Sequence, residues 1–383
     1  MPGKLLAFLS SLQLTLLCLG AAILLIFTGT IAQVHLGIHE AQQRYFQSLF
    51  VWWPSQGSGF RLPVFPGGHL IGAVLLSNLI ATHARRFRWT WRKLGIHLTH
   101  TGLIVMLAGG LFTDLFAVES YMRLGPGDTK GYSEDRRLIE LAVTDITDAG
   151  FDQVTVIPEP LLKRTSRISH PSLPFQVTVR DFHENSRLHL RSGGQGVANR
   201  GPGSQVAIES LPRGSGVNER DIPSAVIEIV PVGRDTASLG TWLVSEALGA
   251  RQTFSYAGRS WELALRPLRY YKPFAVTLKK FSHDLYPGTE IPKNFSSRIT
   301  LSDPDRATRR DVLIYMNHPL RYRGETFYQA GFEKGDGATI LQVVHNPSFL
   351  APYVACAMVA LGLLVQFGYH LIGFSRRRSM ALA

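Results

Sequence analysis

The sequence predicts a membrane protein with four transmembrane α-helices and a large extracytoplasmic β-rich domain between the third and fourth helices. Four apolar runs are long enough, at ~1.5 Å rise per residue, to cross a hydrocarbon core of ~30 Å. Basic residues cluster beside these runs. Between residues 118 and 346, short stretches alternate apolar and polar side chains, which is typical of strands with one buried face.

The charge distribution predicts the orientation in the membrane. The chain has 40 Lys and Arg against 28 Asp and Glu. Nine of the basic residues lie in three short segments without acidic residues: Lys4, Arg85, Arg86, Arg88, Arg92, Lys93 and Arg376 to Arg378. Since cytoplasmic loops carry such excess charge, both termini are expected in the cytoplasm of a multi-pass protein. The orientation in the membrane therefore explains the excess of basic residues, and a nucleic-acid partner is not needed to explain it.

The expected organisation follows the apolar runs in order. It comprises a first transmembrane helix at 5–32, an external loop at 33–62, a second helix at 64–83, a basic cytoplasmic loop at 84–93, a third helix at 94–116, the β-rich domain at 118–346, a fourth helix at 349–374 and a cytoplasmic tail at 375–383. The first run is too long for a signal peptide and is expected to be a retained anchor. Asn78 is expected to form hydrogen bonds between helices.

For the histidines near the other apolar runs, the sequence favours structural positions over ligand roles. His35 and His39 have helical i, i+4 spacing, and a solvated helix face is favoured over a metal pair. His69, His83 and His370 lie near helix ends, where interfacial positions explain them.

The β-rich domain has enough residues for one large or two small cores. Strands are expected from Leu138, Phe175, Ser224, Trp261, Phe274, Phe295, Asp311 and Thr339. The Gly-rich segment 191–205 is interpreted as a mobile loop or a seam between subdomains.

Several chemistries are excluded by missing motifs. Cys18 and Cys356, the two cysteines of the sequence, fall in apolar runs, so no zinc site, thiol exchange or covalent haem on this chain is expected. No nucleotide-binding or hydrolase motif is present, and no catalytic residue can be named. Enzymatic activity is left undecided.

The third apolar run carries His97 and His100 near its basic end. An interhelical hydrogen bond or interfacial cap explains them, and the residues alone favour this explanation. The alternative is an axial haem ligand, for which His100 is the better candidate because it lies deeper.

Several stretches resemble the ResB family, also called CcsB, of system II cytochrome c biogenesis. The most specific is NHPLRYRGETFYQAGF at 317–332, and further matches are GTIAQ at 29–33, GYSEDRRLIELAVTD from Gly131 and HDLYPGTEIPKNFSS from His283. The first block reads as a turn followed by a strand, and a structural role is favoured for it. Arg321, Tyr328 and Gln329 are the candidates for contacts with a partner.

The resemblance implies a subunit that acts with a ResC or CcsA membrane protein. Haem b in transit would be ligated by His100, with His97 one turn away as the alternative, and then attached to the CxxCH cysteines of apocytochrome c. The chain lacks a Trp-rich haem-handling segment and is expected to be an accessory subunit of the haem lyase complex, inactive alone. The family occurs in bacterial cytoplasmic and thylakoid membranes. The alternatives are a membrane b-type haem electron-transfer subunit and a non-haem scaffold.

Overall fold

The computed structural model describes residues 2–53, 60–87, 89–164, 167–190, 196–214, 220–233, 237–288, 292–333 and 337–382. The chain divides into two compact units. The helical unit comprises Met1–Val118 and His345–Ala383, and the β unit comprises Glu119–Gly214 and Asn218–Val344.

Helices dominate the first unit. They are α1 (Pro2–Leu9), α2 (Leu12–Leu36), α3 (Ile38–Ala41), α4 (Gly68–Arg86), α5 (Leu94–Phe116) and α7 (Ala351–Leu382), while α6 (Glu159–Leu162) lies in the β unit. A π-helical turn covers Gln42–Phe46, and strands β1 (Phe50–Trp53) and β2 (Leu62–Pro66) form a hairpin.

Three helical segments of the described chain are long and apolar enough to cross a membrane: Leu12–Leu36, Trp91–Phe116 and Ala351–Ser375. Helix α4, where the sequence predicts the second span, is not among them, and its 19 residues include His69, Asn78, His83, Arg85 and Arg86. The structure therefore shows a membrane protein with three candidate spans, and the fourth span stays a prediction.

The helix ends differ from the expected ones at three places. The first apolar run breaks before α2, where the hydroxyl oxygen of Ser11 accepts a hydrogen bond from the backbone N–H of Leu14. His35 and His39 do not share one helix, because Gly37 separates α2 from α3 with φ of 77°. Helix α7 continues through most of the expected cytoplasmic tail.

Helices α5 and α7 pack closely through small residues. Gly95, Gly102 and Gly109 lie seven residues apart on one face of α5, and all three are buried. A Cβ added to Gly102 would lie 3.0 Å from the carbonyl oxygen of Ala355, and one on Gly109 would lie 2.4 Å from the Cβ of Ala351. Without side chains the two backbones approach, which is how helices associate in membranes.

The predicted role of Asn78 is confirmed. Its side chain is 2% exposed. Its Oδ1 accepts a hydrogen bond from the Thr15 hydroxyl at 2.7 Å, and its Nδ2 donates to the Leu9 carbonyl oxygen at 2.6 Å. These bonds join α4 to α2 and α1.

The β unit is built mainly from antiparallel strands. Its strands are β3 (Val118–Leu124), which begins at the unit boundary, β4 (Thr129–Asp145), β5 (Gln153–Pro158), β6 (Arg167–Ile168), β7 (Phe175–His183), β8 (Ser186–Leu190), β9 (Val206–Ser210), β10 (Ser224–Pro231), β11 (Gly240–Ser245), β12 (Gln252–Tyr256), β13 (Arg259–Leu285), β14 (Pro292–Asp303), β15 (Thr308–Tyr315), β16 (Leu320–Tyr322), β17 (Glu325–Phe332) and β18 (Thr339–His345). Each stretch predicted from alternation lies in a strand, but the two stretches from Trp261 and Phe274 belong to one continuous strand, β13.

The strands form one large sheet and two smaller ones. The ten-stranded sheet has the order β15-β14-β13-β4-β3-β18-β17-β16, with β12 paired to β13 and β5 paired to β4. A four-stranded sheet has the order β11-β10-β7-β6, and β8 pairs with β9. Strand β13 is 27 residues long and crosses most of the unit.

Two hydrophobic cores lie in the β unit, as the sequence allows. The first core packs β4, β7, β10 and β11 around Phe175, Ile227 and Trp261. The second packs β13, β14, β17 and β18 around Phe274, Ile299 and Phe327.

The described part of the Gly-rich segment contributes to a small hydrophobic cluster. Ala198 packs with Val206, Val226 and Leu243 in a smaller cluster. Residues 191–195, the other part of this prediction, lie outside the described residues.

Candidate functional site

Three histidine rings come together where α4 and α5 form an antiparallel hairpin. The ring centroid of His83 lies 5.2 Å from that of His97 and 6.3 Å from that of His100. Within the part of the chain that the structure describes, no group of three or more His, Cys, Asp or Glu side chains is placed to hold a metal ion. The cluster is therefore not a three-ligand metal site.

The ring of His100 has one nitrogen fixed by its own helix. Its Nδ1 lies 2.8 Å from the carbonyl oxygen of Ile96, one turn earlier. Because a carbonyl oxygen only accepts, Nδ1 carries the proton and the neutral ring presents its lone pair on Nε2. Among the described residues, Nε2 of His100 has no hydrogen-bond partner. In metal-ligating histidines, too, one ring nitrogen is commonly held by a neighbour that sets the tautomer.

A cavity of about 470 Å³ adjoins His100 within the helical unit. Its walls are mainly apolar and come from α2, α4 and α5: Leu12, Leu19, Leu75, Leu79, Leu103, Met106 and Leu107. Arg86 is the basic residue of the lining. The volume of the cavity lies in the range of ordinary ligand sites. The guanidinium of Arg86 could pair with a carboxylate of a ligand, and the imidazole of His100 could bind a metal.

His97 has different surroundings. Its ring centroid lies 4.7 Å from that of Phe87 and 6.4 Å from that of Trp89, to which it is nearly parallel. It does not line the cavity next to His100. Of the two histidines singled out from the sequence, His100 lines the cavity and has its Nδ1 fixed, whereas His97 packs against aromatic rings.

Two residues of this region were not expected from the sequence. His83 was treated as interfacial, but it directly precedes the short basic loop that His97 and His100 follow, so a tight hairpin places all three together. Asp114, the one acidic residue of α5, lies 2.5 Å from Nε2 of His69 on α4 and 2.6 Å from Nε2 of Gln47. An acidic residue inside an apolar helix was the available signal.

The block 317–332 is held in shape from inside the β unit. Asn317 and Arg323 have φ of 61° and 46°, values that turns need and most residues avoid. The guanidinium of Arg323 donates two hydrogen bonds to the buried carboxylate of Asp303, at 2.7 and 2.8 Å, and the Tyr322 hydroxyl donates a third at 2.6 Å. Burial acts to raise the pKa of Asp303, but the bonds from Tyr322 and Arg323 outweigh it and hold the pKa below its usual value.

The three candidate partner-contact residues occupy different environments. Tyr328 is 39% exposed, and Arg321 is also exposed. Gln329 is used internally: its Oε1 accepts from the Ser297 hydroxyl at 2.6 Å and its Nε2 donates to the Thr339 hydroxyl at 2.8 Å. Contact with a partner stays a prediction, and the geometry is more favourable for Tyr328 and Arg321 than for Gln329.

Three apolar helices and a β-rich unit define an integral membrane protein with a large β domain. Residues 230–340 match the family model described as the ResB-like family. The resemblance seen in the sequence is thereby confirmed for this segment, which contains the block 317–332 and most of the second core.

One curated relative matches part of the chain. Protein NrfI of Wolinella succinogenes is 33% identical over 103 residues, which are 27% of this chain and 11% of NrfI. The matched region thus spans about a tenth of that relative's length.

Proposed function

We propose that this chain is a haem-handling subunit of a cytochrome c maturation complex that acts with a second membrane protein of the ResC or CcsA type. The match to the ResB-like family and the similarity to NrfI both support a role in cytochrome c maturation. The observation that carries the haem-specific part is the His100 ring, with Nδ1 held by Ile96 and Nε2 available beside an apolar cavity.

Haem is the cargo in this proposal. Nε2 of His100 would bind the iron, Arg86 would pair with the propionates, and the leucines of α2, α4 and α5 would contact the ring. Bound haem supplies the vinyl groups that form thioethers with the cysteines of apocytochrome c.

The proposal includes a topology. Helices α2, α4, α5 and α7 would cross the membrane, both termini would be cytoplasmic and the β unit extracytoplasmic. The support is the charge pattern: the α4–α5 loop is strongly basic, and basic residues also follow the apolar part of α7. The β unit would then meet the apoprotein on the outer side, with Tyr328 and Arg321 as exposed candidates.

The test is maturation of a cytochrome c in cells that carry this protein with a ResC-type partner. We expect His100→Gly to lower covalent haem staining at least tenfold at equal protein level, and added imidazole to restore it, because imidazole fills the cavity left by the side chain. His97→Gly is the matched control and is expected to retain maturation.

A second measurement, the haem absorbance of the purified chain, does not depend on covalent attachment of haem to apocytochrome c. The chain purified from haem-producing cells should show a Soret band that His100→Gly loses and His97→Gly keeps. Full maturation and an unchanged Soret band in His100→Gly would remove His100 from the mechanism.

A further inference from the structure

A second cavity, of about 660 Å³, lies in the helical unit on the far side of Met106 and Leu107 from the His100 cavity. The ends of α2 and α5, the start of α4 and the π-helical turn surround it. Both cavities include Met106 and Leu107 in their linings. They differ in the polar groups at their ends.

The polar end of the second cavity is built on Asp114. Its carboxylate accepts hydrogen bonds from Nε2 of His69 at 2.5 Å and from Nε2 of Gln47 at 2.6 Å. His69 and Asp114 are each more than two-thirds buried. Nε2 of His69 donates to Asp114, so the carboxylate is the hydrogen-bond acceptor at this end of the cavity. The pair lies at the ends of two helices, since His69 is the second residue of α4 and Asp114 is the third from the end of α5.

The charge of the lining excludes anionic ligands. No Lys or Arg is present among the described residues that line this cavity, whereas the His100 cavity has Arg86. A phosphate headgroup or a haem propionate would meet the Asp114 carboxylate without a compensating cation. The head of a suitable ligand is therefore not anionic and carries a group that donates a hydrogen bond, such as a hydroxyl.

The cavity is partly open, and two glycines of its lining leave space over the helix backbones. Gly72 of α4 and Gly110 of α5 both line it, and a Cβ added to either would have no atom within 4 Å. The remaining walls are largely apolar, with Leu76 and Leu111 among them. A planar head between two glycine-bearing helices, with an apolar tail leading away, matches this shape.

We propose that this cavity binds the ring of a membrane quinol. The ring lies against Gly72 and Gly110, and one hydroxyl donates a hydrogen bond to the His69–Asp114 pair. The proposal concerns binding alone and does not depend on haem at His100.

The test uses the full chain in phosphatidylcholine nanodiscs and, as a photoreactive probe, a quinol that carries a diazirine on a short isoprenoid tail. Labelled peptides are mapped by mass spectrometry, and decylubiquinol is the competitor. We expect label on α4 and α5 peptides that contain His69 or Gly110, removed by decylubiquinol. Gly110→Leu should lower labelling at least tenfold by filling the cavity, and Asp114→Asn should lower it roughly tenfold through loss of the charged acceptor.

Matched variants separate this effect from a change in folding. Leu at position 110 enters open space and raises helix propensity, so the chain should keep its size-exclusion profile. Gly368→Leu is the control, because Gly368 of α7 also has nothing within 4 Å of an added Cβ but does not line the cavity. It should label like the unaltered chain. If Gly110→Leu misfolds, the nearly isosteric Asp114→Asn decides the outcome.

Equal labelling of the unaltered chain, Gly110→Leu and Asp114→Asn would overturn the proposal. Protection by dioleoylglycerol as complete as that by decylubiquinol would also overturn it, since the cavity would then accept any neutral lipid. Neither result affects the maturation test of His100.

Discussion

At each of the two cavities, one ring nitrogen of a histidine forms a hydrogen bond to a neighbouring oxygen. The other ring nitrogen is the one left for a further contact. A backbone carbonyl holds Nδ1 of His100 and leaves Nε2, the nitrogen with the least steric hindrance for a metal. The carboxylate of Asp114 holds Nε2 of His69. In the block 317–332 the same reasoning assigns Gln329 an internal role, since both ends of its amide are bonded inside the β unit.

We predict that Gln329→Ala destabilises the β unit and that Tyr328→Ala does not. Removal of the amide leaves the buried hydroxyls of Ser297 and Thr339 with fewer partners, at a cost of about 1–3 kcal/mol. Loss of exposed Tyr328 should change the free energy of unfolding by less than about 0.5 kcal/mol. Pulse proteolysis in urea measures both values. Equal losses in the two variants would contradict the assignment.

We also predict an acid-sensitive contribution from Asp303. Because the bonds from Arg323 and Tyr322 lower its pKa in the folded chain, the unfolded chain binds the proton more readily. The stabilisation is complete above the ordinary carboxyl pKa of about 3.9 and is lost as the pH falls through the lower folded value.

The variant Asp303→Asn tests this contribution. At pH 7 it should have a lower urea midpoint than the unaltered chain, and the difference should shrink between pH 5 and pH 3. A difference that does not depend on pH would show that packing, and not the charge, is what the substitution removes.

At the scale of single elements, helix α5 has two faces with different uses. One face presents Gly95, Gly102 and Gly109 to α7 at distances that leave no room for a side chain. Gly110 and Met106 lie on another face and line cavities. Glycine thus allows close packing against α7 at position 109, whereas at position 110 it leaves open space next to the helix.

We predict opposite effects of leucine at the two kinds of glycine. Gly102→Leu would force α5 and α7 apart, because a Cβ there lies 2.8 Å from Cγ2 of Val359 before the rest of the side chain is added. Overpacking of this kind costs roughly 1–3 kcal/mol or more. Gly110→Leu should leave thermal stability unchanged or slightly raised.

Thermal unfolding of the two variants in detergent, followed by circular dichroism of the helices, checks this prediction. Equal transition temperatures would show that α5 and α7 pack less closely than these distances indicate.

At the scale of the whole molecule, the two cores of the β unit share a strand. Strand β13 contributes Trp261, Leu263 and Leu265 to the first core and Phe274, Val276 and Leu278 to the second. A strand that is buried in both cores couples their stabilities, since it cannot leave one without straining the other. The region 230–340 that matches the ResB-like family contains the whole of β13.

We predict that a destabilising substitution in the second core also lowers the stability of the first core. Phe327 is fully buried in the second core, and Phe327→Ala should cost about 3–5 kcal/mol. Hydrogen exchange measured by mass spectrometry should then show lower protection in β7 and β10 of the first core as well as in β14 and β18. Tyr328→Ala is the control. Loss of protection confined to the second core would show that the cores unfold independently.

The class of the protein and most of its strands were predictable from the sequence, because both depend on local patterns. A long apolar run specifies a helix able to cross a membrane, and alternation from Phe175 or Ser224 specifies a strand, without knowledge of any partner. The resemblance in block 317–332 was likewise local. Ligation of haem by His100 stays a prediction. The structure shows that the carbonyl oxygen of Ile96 fixes the tautomer of the His100 ring.

Tertiary structure alone decided which distant residues meet. Asp114 and His69 are 45 positions apart and His83 and His100 are 17 apart, so no local period relates them. The break at Gly37 and the internal role of Gln329 were also decided by folding. Sequence pattern determines how a segment folds, because that depends on neighbours along the chain. The cavities, the histidine pairs and the shared core depend on neighbours in space, which only the packed chain supplies.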